Sequence, residues 1–270
     1  MIASNAYKTV GKILYKVPGF LEWRLSKKLD VSTWTPIIPG QQIEVMVRTS
    51  WLEGLRQDDG RGKITGMDRE GRREAPFVDM FISKLNASTV LLDVGAGYGV
   101  YSVIAAHKCQ PKNIHSFEPD PICHWILRRN NKKYCDGQLN IDPRFISSET
   151  KGRSVTLDDY CAERALRPTL IKMDIEGAEI RAVAGMRRIC QEYHPVILME
   201  FHMRKVRNQW KADPQEVLQM LRSYGYRLRF NGHHWHLVQF KGQRDPGWHD
   251  TLPNDVNCAV IAEAEPRTAN

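Results

Sequence analysis

An apolar run, Leu91-Leu92-Asp93-Val94, passes directly into three alternate glycines, Gly95, Gly97 and Gly99, and a helical pattern starts at Val100. No other stretch constrains the chain as strongly. Glycine admits positive φ and lets a ligand approach the backbone, so the turn reads as a cradle at the carboxyl end of a strand. The segments around it keep one rhythm. Strand-like 90–94, 114–117, 170–173 and 196–199 alternate with helical 100–107, 121–131, 178–190 and 214–223. That alternation predicts an α/β fold, a doubly wound and mostly parallel sheet with helices on both faces. Residues 226–230, 235–240 and 258–262 are strand-like with no helix between them, which predicts an antiparallel edge.

The second strand ends in Glu118, 21 residues after Gly97. A carboxylate there can accept both hydroxyls of a ribose, so the pair predicts a nucleoside-containing ligand. The dinucleotide fingerprint needs glycine at position 100, where this chain has Val100. Asp93, two residues before the first glycine, disfavours a pyrophosphate and favours a cationic ligand. S-adenosylmethionine carries both an ammonium and a sulfonium centre. A tight turn that holds no ligand is the competing reading of the glycines alone, and a nicotinamide dehydrogenase fits less well.

Four blocks resemble the FkbM-like family of S-adenosylmethionine-dependent methyltransferases. They are 92–102, with its glycines; Phe117-Glu118-Pro119-Asp120-Pro121; Thr156-Leu157-Asp158-Asp159-Tyr160; and 171–179, Ile171-Lys172-Met173-Asp174-Ile175-Glu176-Gly177-Ala178-Glu179. Residues 198–202 and 223–226 fit the fifth strand and the helix after it, so the likeness spans about residues 74–262. The resemblance implies a class I methyltransferase fold with seven strands, S-adenosylmethionine as cofactor and O-methyl transfer to a small metabolite or sugar. Carried over residue by residue, it places the cofactor on Asp93, Gly95, Ala96, Gly97, Tyr98, Gly99, Tyr101, Glu118, Pro119 and Asp174, and the adenine on Phe145 and Ser147. Gly97 departs from the family's usual Asn, which loses a side-chain hydrogen bond and keeps the backbone cradle.

Methyl transfer from a sulfonium needs alignment and the removal of a hydroxyl proton. Asp174 and Glu200 end adjacent strands on the ligand side, and His202 follows two residues on. Asp174 is therefore the preferred base, with Glu176, Glu200 and His202 as further catalytic candidates. His202 is offered for its near-neutral titration. Glu176 and Glu179 also suit the first turn of a helix, where carboxylates are favoured by the dipole alone. Asp174, Glu200 and His202 could in principle hold a metal, but their spacing demands none and none is assigned. His234 and His236 share a strand face, a weak metal spacing better read as facing substrate.

Charge localises the question of the acceptor. The chain has 39 Lys+Arg and 31 Asp+Glu in 270 residues, a net +8, and residues 203–244 alone hold nine bases against Asp213 and Glu216. Because that stretch follows the fifth strand, it predicts a small hydroxylated acceptor bearing a carboxylate or phosphate. Nucleic acid is the less favoured partner. An RNA ribose 2′-O-methyltransferase would use a Lys–Asp–Lys–Glu set, for which Lys84, Asp174, Lys205 and Glu263 are the available residues. A non-catalytic cofactor-binding scaffold is the third reading. Apolar residues at 42% and charged at 26% describe an ordinary globular chain. Six scattered cysteines without Cys-x-x-Cys and the lack of a long apolar run predict a cytoplasmic protein without a transmembrane segment. Residues 1–70 read as an extension or cap, with an amphipathic or paired-helix stretch at 7–28, and 71–270 as the methyltransferase domain.

Overall fold

In a computed structural model of the protein, residues 31–34, 37–38, 41–48, 75–231, 248–252 and 258–265 are described. Short strands β1 (Val31–Trp34), β2 (Ile37–Ile38), β3 (Gln41–Gln42) and β4 (Val45–Arg48) precede helix α1 (Ala75–Ser83). Then come β5 (Leu91–Val94), α2 (Val100–Ala106), β6 (Ile114–Phe117), α3 (Pro121–Tyr134) and β7 (Asn140–Asp142). Two-residue strands β8 (Phe145–Ile146) and β9 (Ser154–Val155) lead to α4 (Leu157–Glu163) and β10 (Leu170–Met173). The remainder is α5 (Glu179–Ala184), α6 (Arg187–Tyr193), β11 (Val196–Phe201), α7 (Met203–Trp210), α8 (Pro214–Ser223), β12 (Tyr226–Asn231) and β13 (Cys258–Ala264).

Seven strands form one sheet in the order β12-β13-β11-β10-β5-β6-β7. The chain winds outward from β5 to β7, returns through β10 to β11, and closes with β13 inserted between β11 and β12. Neighbours pair in parallel except where β13 meets β11 and β12. This is the seven-stranded, mostly parallel sheet that the resemblance implies. The antiparallel strand is thus the next-to-last strand, and β12 forms the actual edge. The expected strand at 235–240 and the helical stretch at 7–28 lie outside the described residues, as do His233, His234 and His236.

Side-chain alternation divides the core between the two faces. Leu92, Ile171 and Ile197 pack on one side with Tyr160, Val183 and Leu218, whereas Leu91, Leu170 and Leu198 pack on the other with Phe81, Ile104 and Ile261. Ile43, Val45 and Val47 join the second cluster, so the described part of the N-terminal region is packed against the same core as α1 and α2. Asn130 of α3 ties it there. Its side chain accepts from Met46 N at 2.8 Å and donates to Met46 O at 2.9 Å and to Tyr98 O at 2.7 Å.

Helix starts follow from local chemistry. Asp120 caps α3 by accepting from Ile122 N and Cys123 N, with Pro121 in the first turn, and Asp213 closes a capping box with Glu216 at α8. The six cysteines are free thiols. Among the described residues, no helix is long and apolar enough to cross a membrane.

Candidate active site

The glycine turn is held between two strand ends. Gly95 N and Ala96 N both donate to Phe117 O at 3.0 Å, and Asp174 N donates to Val94 O at 2.9 Å. Gly95, Gly97 and Gly99 have φ of +76°, +56° and +85°, a region costly for other residues. Their reasons differ. A Cβ on Gly95 would lie 1.8 Å from the backbone oxygen of Asp174, so glycine is required there for packing, whereas one on Gly99 would meet only the tip of the Leu127 side chain, Cδ1, at 2.4 Å. A Cβ on Gly97 would meet nothing within 4 Å. The middle glycine faces open space.

That space is a cavity of about 350 Å³, lined on one side by Gly95–Tyr98, Tyr101 and Glu118 and on the other by Lys172, Asp174, Glu176 and Glu200. Glu118 is 7% exposed and accepts from Gly97 N and Asp120 N, each at 2.7 Å. Burial pushes its pKa up to about 7 despite those two donors. Tyr101 stands edge-on to Phe77 and Phe81, and its ring lies under Lys172 Nζ at 4.9 Å.

Beneath the turn runs a buried polar row. Ser116, Asp93 and Lys172 occupy opposed positions on β6, β5 and β10. Ser102 Oγ donates to Asp93 Oδ2 at 2.6 Å and lies 2.7 Å from Ser116 Oγ, while Lys172 Nζ sits 3.6 Å from Asp93 Oδ1 and donates to Gly95 O at 3.1 Å. Asp93 is wholly buried and outside the cavity lining. It acts on the turn through Lys172 and Ser102, not as part of the cavity wall that a cationic ligand would meet. The carboxylates of Glu118, Asp174, Glu176 and Glu200 make the cavity acidic instead.

At the carboxyl ends of β10 and β11 the expected catalytic residues converge. His202 Nε2 lies 3.2 Å from Glu200 Oε1, 3.3 Å from Glu176 Oε2 and 3.9 Å from Asp174 Oδ1. Its Nδ1 lies 2.9 Å from Glu179 Oε1. Asp174 Oδ2 is 3.9 Å from Lys172 Nζ, and Glu176 is paired with Lys205. Burial alone would lower the His202 pKa, but hydrogen bonds to Glu179 and Glu200 and their charges outweigh it and hold it near 10. His202 is therefore protonated at neutral pH and takes no proton there, which corrects its expected role as a near-neutral base.

Backbone geometry explains how the cluster is assembled. Glu176 has φ +59°, uncommon for a residue with a side chain, and Gly177 has φ +106°. A Cβ on Gly177 would lie 2.5 Å from Lys205 Cβ, so glycine there lets α7 approach the loop after β10.

Several expected contacts fall elsewhere. Pro119, Phe145 and Ser147 do not line the cavity. Phe145 is exposed beneath the Arg153 guanidinium, and Ser147 is buried on β9 through its N–H to Val155 O. Of the Lys–Asp–Lys–Glu set, Lys84 and Glu263 pair with each other at 2.6 Å. Glu263 lies at the amino end of β11, beyond the Ile197–Ala262 pairing, and Asp174 at the carboxyl end of β10. The set is thus split across the sheet by at least ~10 Å of strand. The basic stretch also divides: among the described residues Arg227 pairs with Asp250 and Arg229 with Glu263, Lys205 on α7 pairs with Glu176 of the cavity wall, and Arg204, Lys205 and Arg207 themselves do not line the cavity.

Lys172 was the residue that sequence patterning passed over. Its signal was a lysine inside an otherwise apolar parallel strand, a position that demands a partner.

Residues 137–228, from β7 into β12, match the family model described as Methyltransferase FkbM domain. This stretch is similar to an FkbM methyltransferase domain. The likeness in the first blocks of the sequence thus extends beyond the cofactor turn into a region matched independently of it. The curated hexuronic acid methyltransferase AglP of Haloferax volcanii is 24% identical over 178 residues, covering 57% of this chain and 70% of that protein. Among solved structures, methyltransferase FkbM from Methylobacillus flagellatus is 18% identical with a TM-score of 0.46, over 66% of this chain and 44% of its own. The N-methyltransferase NodS from Bradyrhizobium japonicum, in complex with S-adenosyl-L-homocysteine, is 11% identical with a TM-score of 0.45, over 81% and 98%.

Proposed function

We propose that this FkbM-type protein transfers a methyl group from S-adenosylmethionine to a hydroxyl oxygen of a small, anionic metabolite or sugar. The observation that carries the reading is a single cavity with Gly97 and Glu118 at one wall and Asp174 and Glu200 at the other. The residues fit such a cofactor: Gly97 leaves the backbone open, and each Glu118 oxygen retains accepting capacity for a ribose hydroxyl beyond its bond to a backbone N–H. The acidic wall suits a sulfonium and an ammonium. When bound, the cofactor supplies the electrophilic methyl group.

The chain's own residues supply position and proton transfer. Gly95–Gly97 and Glu118 fix the nucleoside end, and Lys172 anchors the turn through Gly95 O. Asp174, flanked by Lys172 and His202, accepts the hydroxyl proton of the acceptor. Lys205, paired with Glu176 of the cavity wall, and its α7 neighbours Arg204 and Arg207 would attract an anionic group. The name of the Haloferax relative, a hexuronic acid methyltransferase, supports a carboxylate-bearing sugar as the acceptor class.

Titration calorimetry with S-adenosylmethionine tests the cofactor part. Absence of binding, or binding undiminished in Glu118→Ala, removes it. A product formed from a mixed hydroxylated metabolite pool and lost in Asp174→Ala excludes a non-catalytic scaffold.

A further inference from the structure

A second cavity, of about 1030 Å³, lies along α3 between β4 and β7. Arg128, Arg129, Lys132 and Lys133 line it, together with His124 and the buried Trp125. No carboxylate stands among its described lining residues. Arg128 and Lys132, and likewise Arg129 and Lys133, are four residues apart on one helix, so each pair holds two like charges on neighbouring positions of its surface, a spacing that costs helix stability. The helix dipole favours Lys132 and Lys133 in the last turn, but it gives no reason for Arg128 and Arg129 one turn earlier. None of the four forms an ion pair among the described residues. The Arg129 guanidinium lies over the Trp125 ring at 4.7 Å, and Lys133 Nζ over the Tyr134 ring at 4.7 Å. Glu44 favours the charge on Lys133 from a distance. The result is a concave surface carrying four mutually repelling charges that the chain itself does not neutralise.

We propose that this groove binds a polyanionic glycan, one with carboxylates repeated along its sugar rings. Single-stranded nucleic acid needs aromatic platforms on which its bases stack, and Trp125 is 7% exposed and covered by Arg129. A membrane surface is met by a face with projecting apolar anchors, whereas Trp125 and Leu139 are buried within a concavity. A glycan needs neither, since its carboxylates pair with exposed Lys and Arg heads. The choice of glycan among polyanions rests on the acceptor class proposed above. The groove is also well placed for such an acceptor. Cys123 lines the cofactor cavity and His124 the groove, so the two spaces are neighbours along α3. Asn130 of the same helix donates both to Met46 O of the groove and to Tyr98 O of the cofactor turn. A glycan seated there keeps its own hydroxyls at high local concentration beside the cavity.

Fluorescence anisotropy of a labelled oligogalacturonate, titrated with the full chain without S-adenosylmethionine, tests the proposal. The wild type should bind it with an affinity that falls as salt rises, and should not bind a neutral malto-oligosaccharide. Arg128→Gln, Arg129→Gln, Lys132→Gln and Lys133→Gln combined should weaken binding on the order of tenfold, with melting and S-adenosylmethionine affinity unchanged. If that variant melts early, Arg128→Gln with Lys132→Gln decides, at roughly threefold. Lys108, Lys112, Lys151 and Arg167 are exposed on other segments, and changing all four to Gln removes the same charge and should leave binding intact. Equal loss in the two fourfold variants overturns the proposal. So does tighter, groove-dependent binding of single-stranded RNA or of vesicles rich in anionic lipid. Failure of the methyl-transfer reading is distinct, because it leaves these binding curves unchanged, whereas loss of groove binding leaves methylation of a monosaccharide acceptor intact.

Discussion

Glu118 offers the sharpest test of the cofactor wall, because ligand and fold make opposite demands on one carboxylate. Burial raises its pKa from an ordinary 4.5 to about 7. That rise corresponds to ~3 kcal/mol. The contribution to stability is complete below about pH 4.5 and is lost as pH climbs through about 7, since the folded state disfavours the charge. Ribose recognition demands the reverse, for only the carboxylate accepts from both hydroxyls. The Kd for S-adenosylmethionine should therefore rise as pH falls through 7, approaching tenfold per pH unit. Glu118→Gln removes the titration. It also reduces charge-assisted hydrogen bonds to neutral ones, a loss of ~1–1.5 kcal/mol per hydroxyl, or ~30- to 150-fold in affinity for the pair at high pH. Calorimetric titrations of both proteins from about pH 5.5 to about 8.5 give the two slopes, and melting curves give the stability half. A wild-type Kd that is flat across this range, or a slope that survives in Glu118→Gln, refutes the reasoning.

Gly95→Ala forces a Cβ against Asp174 O and should unfold or badly destabilise the chain, whereas Gly97→Ala adds only backbone strain of ~1–2 kcal/mol and should chiefly weaken cofactor affinity; melting and calorimetry on both separate the effects. Lys172→Met leaves Asp93 buried and uncompensated, at a cost of ~3–5 kcal/mol, so its melting temperature should fall by roughly 10 °C. Asn130→Ala strips partners from Met46 and from Tyr98 O, and should cost ~2 kcal/mol in denaturant unfolding while loosening the turn enough to reduce cofactor affinity.

The strands at 91–94, 114–117 and 170–173 were legible because each is a short apolar run followed by helical spacing, and both periods are local. The insertion of β13 between β11 and β12 was not, because strand order depends on contacts between distant segments. The same distinction explains the site. Glycines and Glu118 announce themselves by type and spacing within one βαβ unit. The burial of Asp93 is not legible locally because its partner, Lys172, lies on a strand 79 residues away that becomes its neighbour only in the sheet. His202 looked like a neutral base because its carboxylates come from the loop after β10, from α5 and from β11. Phe145 and Ser147 were placed by analogy of position, and no local pattern fixed the direction of their side chains.

The central claim is oxygen methylation in this cavity. Deuterated-methyl S-adenosylmethionine incubated with the protein and a panel of uronic acids and uronate-bearing glycans, with the products fragmented by mass spectrometry, tests it most directly. One labelled methyl ether per turnover is expected, formed by the wild type and abolished in Asp174→Ala with cofactor binding retained. A labelled methyl ester on the carboxylate, a labelled nitrogen, or a product that persists in Asp174→Ala would contradict it.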